Sequence, residues 1–115
     1  MPIMNAKIAG TTLGYEGHGM LTAFIYLDYG GSQQGFGGYR LDAYDKEEKK
    51  EVPTKYCGAW IAGILKAVGV DKWEDLEGKY VRVEREDGGW NSRISAIGNI
   101  VEDKWFRPRD LPSYG

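Results

Sequence analysis

Apolar and polar positions alternate most clearly over residues 20–29. There Leu21, Ala23, Ile25 and Leu27 share one face of an extended chain, and Thr22, Phe24, Tyr26 and Asp28 share the other. Residues 4–14 carry the β-branched content of a strand, with Gly10 as a candidate bulge. The three-glycine stretch at 14–19 turns the first strand into the second, giving an antiparallel hairpin. Residues 30–38 form a glycine-rich connection, and residues 39–43 are expected to return as a third strand. The charge run at 45–51 predicts a solvated turn that Pro53 ends.

A 3.6-residue period replaces the alternation at 55–68, where Cys57, Ile61, Ile64, Leu65 and Val68 make one apolar stripe bordered by Trp60. Thr54 suits the N-cap and Gly69 the C-terminal stop. Gly58 and Gly63 each weaken a helix by up to about 1 kcal/mol relative to Ala. Their presence is explained if they let the helix approach the sheet closely. Beyond a short helical turn at 71–76, alternation resumes at 79–84. Asp87-Gly88-Gly89 marks a hairpin, and residues 90–101 give a last strand with Ile94, Ala96, Gly98 and Ile100 on one face. Residues 102–115 hold two prolines and predict an extended tail tied down by Trp105 and Phe106. The order β-β-β-α-β-β predicts a single α+β domain over 1–115, with a largely antiparallel sheet of about five strands and the helix on one face. The opposite face would carry Phe24, Tyr26 and Tyr80, as a second small core, a dimer interface or a ligand platform.

The length suits one domain with its own core. Glycine is the compositional departure: 17 of 115 residues, about twice ordinary usage. The net charge of −2 lacks the concentrated basic field of a duplex-DNA binder. The nearest approach to a basic patch is Arg93, Lys104, Arg107 and Arg109. A lone cysteine, Cys57, excludes an intrachain disulfide and falls in the helical stripe, where a buried structural thiol is expected. The longest apolar run, 59–70, is broken by Lys66 and is too short to span a bilayer. These features predict a protein of a reducing cytoplasm without a membrane partner.

Candidate chemistry centres on Tyr29–Tyr39. Gly35 and Gly37 fit the start of a dinucleotide fingerprint, but Arg40 stands where the third glycine belongs, and a strand pattern follows rather than a helix. Gly78-Lys79 lacks the upstream spacing of a phosphate loop. The segment is instead expected to be a hairpin loop presenting Phe36 and Tyr39, whose glycines allow close approach and whose rings can stack on a base. His18, the single histidine, sits between glycines without the spacing of a metal site. No nucleophile–base pair or serine elbow is evident, so neither an enzyme nor a cofactor is expected.

Two stretches carry a resemblance. Leu13-Gly-Tyr-Glu-Gly-His-Gly-Met-Leu-Thr22, with Leu27-Asp-Tyr-Gly-Gly-Ser-Gln-Gln-Gly-Phe-Gly-Gly-Tyr-Arg-Leu-Asp42, resembles a group of small uncharacterised proteins of tailed phages and prophages. Gly69-Val-Asp-Lys-Trp-Glu-Asp-Leu-Glu-Gly-Lys-Tyr-Val-Arg-Val83 is similar to a helix–turn–strand of the same group. The resemblance implies a phage accessory protein acting in the bacterial host's cytoplasm. By analogy with small non-enzymatic phage proteins it implies antagonism of host defence. One route is sequestration of a small nucleotide-type ligand at the interface of a homodimer. The alternatives are a protein-binding, anti-CRISPR-like inhibitor of a host complex, and a single-strand nucleic-acid module on an OB-like sheet. The candidate ligand residues are Tyr15, His18, Gln34, Phe36, Tyr39 and Arg40, followed by Trp90, Arg93 and Arg107. Rings would stack and arginines would pair with phosphate.

Overall fold

A computed structural model describes residues 3–17, 19–86 and 92–111. Among the described residues, eight strands and one α-helix follow in the order β1 (Ile3–Tyr15), β2 (Leu21–Asp28), β3 (Gln33–Gly37), β4 (Asp42–Asp45), β5 (Lys50–Pro53), α1 (Lys55–Val68), β6 (Tyr80–Arg85), β7 (Ile94–Asn99) and β8 (Trp105–Phe106). The class is α+β, as the sequence predicts. The strand count differs: six strands form one antiparallel sheet in the order β3-β2-β1-β6-β7-β8, and β4-β5 make a separate hairpin.

The long β1 serves two neighbours. Its first half pairs with β6 and its second with β2, and the register slips between Ile8 and Gly10. That bulge bends the strand where it changes partners. The sheet curls so far that its two edge strands meet through side chains. Phe36 of β3 packs edge-on to Phe106 of β8 with ring centroids 6.4 Å apart. Gln34 Nε2 donates to the Ser92 carbonyl at 2.9 Å, ahead of β7.

The inner face supplies Ala6, Ile8, Ala23, Ile25, Leu27, Phe36, Val81, Val83, Ile94, Ile97 and Phe106 to the core. Helix α1 closes that face with Trp60, Ile64 and Ala67. The helix starts and stops where its sequence signals stand. Thr54 Oγ1 accepts from the Cys57 amide, and Gly69 takes the left-handed conformation with φ 90°. Gly63 is the point of closest approach, since a Cβ there would lie 2.5 Å from the Phe106 ring. Gly58 has open space around it, so the same explanation does not extend to it.

Three expectations need correction. Residues 39–43 are not the third strand of the sheet. That strand is β3, inside the supposed glycine loop, and the turn shrinks to Gly30-Gly31 between Tyr29 and Ser32. The charge run at 45–51 does turn in solvent, as expected, and its two ends pair as part of β4 and β5. The tail contains β8, which pairs with β7, and a single 3-10 turn at Pro108–Asp110. The expected face of Ile94, Ala96, Gly98 and Ile100 is also broken. Glu84 lies opposite Ala96 and Arg85 opposite Ile94, so Ser95 is an extra residue and both Ile94 and Ile97 point inward. The Asp87-Gly88-Gly89 turn lies outside the described residues.

Gly63→Ala should therefore destabilise the fold by about 1–3 kcal/mol through overpacking against Phe106. Gly58→Ala should stabilise it by up to about 1 kcal/mol through helix propensity. Urea unfolding of both variants checks the pair, and equal effects would contradict the packing assignment.

Candidate functional site

The glycines of Tyr29–Tyr39 have a packing role before any ligand is considered. On the outer face, Phe24 lies along β3. A Cβ on Gly35 would stand 3.6 Å from its ring, and one on Gly38 3.0 Å. Gly37 has φ 140°, and a Cβ there would come within 2.0 Å of the Ala23 carbonyl oxygen. Phe24 in turn stacks on Tyr26, with centroids 6.0 Å apart and planes 11° apart. Phe36 is not a presented ring: it is 2% exposed and stacks on Trp60 at 5.8 Å. Alternation explains this, because Phe36 pairs with Ile25 and shares its inward direction.

Two adjoining hollows open beside Tyr39. One, of about 250 Å³, is lined by Tyr39, Tyr56, Glu86, Arg93, Ile94, Ser95, Pro108 and Arg109. The other, of about 180 Å³, is a slot between Gly35–Gly38 and the pair Arg93 and Ile94. The slot is the open seam of the curled sheet, with glycine backbone on one wall and a guanidinium on the other. Tyr39 belongs to both and backs onto the core, 6.3 Å from Trp60 and 6.1 Å from Phe36 by ring centroid. Arg93 and Arg109 are exposed, and no carboxylate pairs with either among the described residues. Burial raises the Tyr39 pKa, opposed by Arg93, reinforced by Glu86 and opposed again by Arg109. The phenol therefore keeps its proton and can donate a hydrogen bond throughout the neutral range.

Of the predicted residues, Tyr39 and Arg93 come together here, with Phe36 contributing to the slot behind them. Arg107 lines the next hollow along, with Ile3, Glu84, Ser95 and Arg109. Gln34 is committed to the fold through the Tyr29 hydroxyl and the Ser92 carbonyl. Arg40 is committed as well. Its guanidinium bonds Asp42 and Glu51, and Asp42, 1% exposed, accepts the Leu21 amide and so ties the 39–42 segment to β2. A phosphate role for Arg40 would require breaking that network. Tyr15 lies elsewhere, lining a shallow hollow with Leu13, Phe24 and Tyr26. His18 and Trp90 lie outside the described residues.

Sequence reasoning missed Tyr56 and Ser95, and it named Arg109 only within a loose basic cluster and not as a ligand residue. Tyr56 sits in the first turn of α1 beside the apolar stripe, and only the docking of that turn near Arg93 reveals it. Arg109 follows buried Pro108, whose fixed φ starts the 3-10 turn that aims it at the cleft. The Cys57 thiol is buried and pushed up, first by desolvation and then by Asp42, as suits a structural cysteine rather than a nucleophile. No helix among the described residues is long and apolar enough to cross a membrane. No protein-family model matches the chain, and no curated protein or solved structure matches it.

The raised Tyr39 pKa carries a sign for stability. The folded state holds the phenolic proton more tightly than the unfolded chain, whose value is near 10.0. The associated stability is complete below that value and is lost as pH rises through the raised folded value. Tyr39→Phe should remove a late-titrating phenol from the alkaline absorbance titration and flatten the decline in stability above pH about 10. An unchanged titration would contradict the burial assigned to this hydroxyl.

Proposed function

We propose that the protein is a non-enzymatic binding module that captures a small nucleotide-type anion in the Tyr39 cleft. One observation carries this reading: an aromatic wall of Tyr39 and Tyr56 faces two arginines, Arg93 and Arg109, that have no carboxylate partner among the described residues. Exposed arginines outside any ion pair, converging on rings with Glu86 as the one acid lining the hollow, suit phosphate and base respectively. The glycine seam adds backbone that a phosphate oxygen can approach without meeting a Cβ. In the phage setting that the sequence resemblance implies, such capture would sequester a nucleotide signal of host defence. The ligand residues are Tyr39, Tyr56, Arg93, Ser95 and Arg109.

A second reading rests on a different surface. Tyr26, 40% exposed, stacks on Phe24 on the outer face, and Tyr15 and Leu13, 68% and 42% exposed, border the same hollow from the end of β1. Such a patch suits a protein partner, whether a host defence complex or a second copy of this chain. Sedimentation of the protein and of Tyr26→Glu separates the two: a dimer that Tyr26→Glu dissociates supports the homodimer, and a monomer in both removes it.

The leading reading is tested by calorimetric titration of the intact protein with AMP and GMP. Arg93→Ala should weaken binding by about 1.5–3 kcal/mol, more than tenfold, because a charge-assisted bond is lost. Its unfolding midpoint should stay close to that of the parent, since Arg93 is exposed. Unchanged affinity in Arg93→Ala would remove the reading.

A further inference from the structure

The Tyr39 cleft does not end at Arg109. A third hollow, of about 360 Å³, adjoins it and is lined by Ile3, Glu84, Ser95, Arg107 and Arg109. Ser95 and Arg109 belong to both, so they form the sill between a near and a far compartment. The sill exists because Ser95 is the extra residue of the β6–β7 bulge. Its hydroxyl is turned onto Glu84, donating to the Glu84 carbonyl at 3.2 Å and to its carboxylate at 3.1 Å.

The two compartments differ in how their charges are paired. The near side holds Arg93 and Glu86 and the sill holds Arg109, which both compartments share; neither arginine forms an ion pair among the described residues. In the far compartment Arg107 meets the Glu84 carboxylate at 3.2 and 3.3 Å, and its guanidinium also lies over the Trp105 ring at 5.3 Å. Ser95 and Arg107 between them occupy both carboxylate oxygens. The far compartment is therefore charge-balanced, with Ile3, half exposed, as its apolar wall. Anionic attraction peaks at the sill and falls off beyond it.

Size points the same way. Sites for small molecules occupy about 300–1,000 Å³. The near compartment, at about 250 Å³ with the glycine slot of about 180 Å³ beside it, has room for one unit, and the far one, at about 360 Å³, adds room for a second.

Resting on the nucleotide reading of the near compartment, we infer that the groove takes a two-unit ligand of the dinucleotide class. One ring system lies against Tyr39 and Tyr56, the bridging phosphate sits between Arg93 and Arg109, and an uncharged second nucleoside lies over Ile3 and the Glu84–Arg107 pair. A terminal phosphate on the second unit is not expected, because Arg107 is already neutralised.

The test is calorimetric titration of the intact protein with AMP and GMP, and with the dinucleoside monophosphates ApA and GpG. At least one dinucleoside monophosphate should bind tenfold or more tightly than its mononucleotide. Ile3→Trp, which fills the far compartment from an exposed position, should abolish that advantage while leaving mononucleotide affinity unchanged. Arg109→Ala, at the sill, should weaken both classes alike; its thermal midpoint and that of Ile3→Trp verify folding. Mononucleotides binding as tightly as the dinucleoside monophosphates would overturn the two-unit inference and leave the nucleotide reading standing. An Ile3→Trp variant that keeps the advantage would also overturn it. No binding by any of the four would remove both.

Discussion

The structure depends on how Trp60 is housed. This fully buried indole stacks on Phe36 at 5.8 Å, meets Phe106 edge-on at 5.5 Å, and touches Tyr39 and Trp73. Its partners come from both edge strands of the sheet, from the β3–β4 connection and from the turn before β6. Large rings deliver much apolar burial per residue, and edge-on and offset contacts add to it. A flat sheet could not bring β3 and β8 to one side chain. The curl, the bulge in β1 and the missing Cβ at Gly63 are the geometric conditions for closing around it.

The candidate site is a by-product of that closure. Curling brings the edge of β3 near the start of β7 without joining them, and the residual seam is where Gly35–Gly38 face Arg93. Tyr39 is core on one side of its ring and cleft wall on the other. Any ligand seated there would press on a ring already held by Trp60 and Phe36, so the site is preformed rather than assembled by a mobile loop.

The bounds of the helix were legible in the sequence, because its period, its Thr54 cap and its Gly69 stop are all local signals. β1 and β2 were legible for the same reason. The buried face of the helix was legible only in part, since Trp60 is at its centre rather than its border and Ile61, Leu65 and Val68 are only partly buried. β3 was hidden because its glycines look like turn residues when their neighbour Phe24 is not known to lie across them. A glycine run can mark close backbone approach as readily as a loop. Phe36 was misread as exposed once the strand was missed, since only strand pairing fixes its direction. Arg40 looked available because Asp42 and Glu51, two and eleven positions away, find it only after β4 and β5 pair. Tyr39 and Arg93 were identified singly, but their meeting is a long-range consequence of the curl, as is the arrival of Tyr56 and Arg109.

The bulge at Ser95 has a consequence for how this chain can vary. Ile94 and Ile97 both reach the core although they stand three positions apart, because the bulge absorbs Ser95. Removing that one residue would restore strict alternation and leave both isoleucines facing inward. It would erase the hydroxyl that divides the groove. The core can thus survive a shorter β7, and the divided groove cannot.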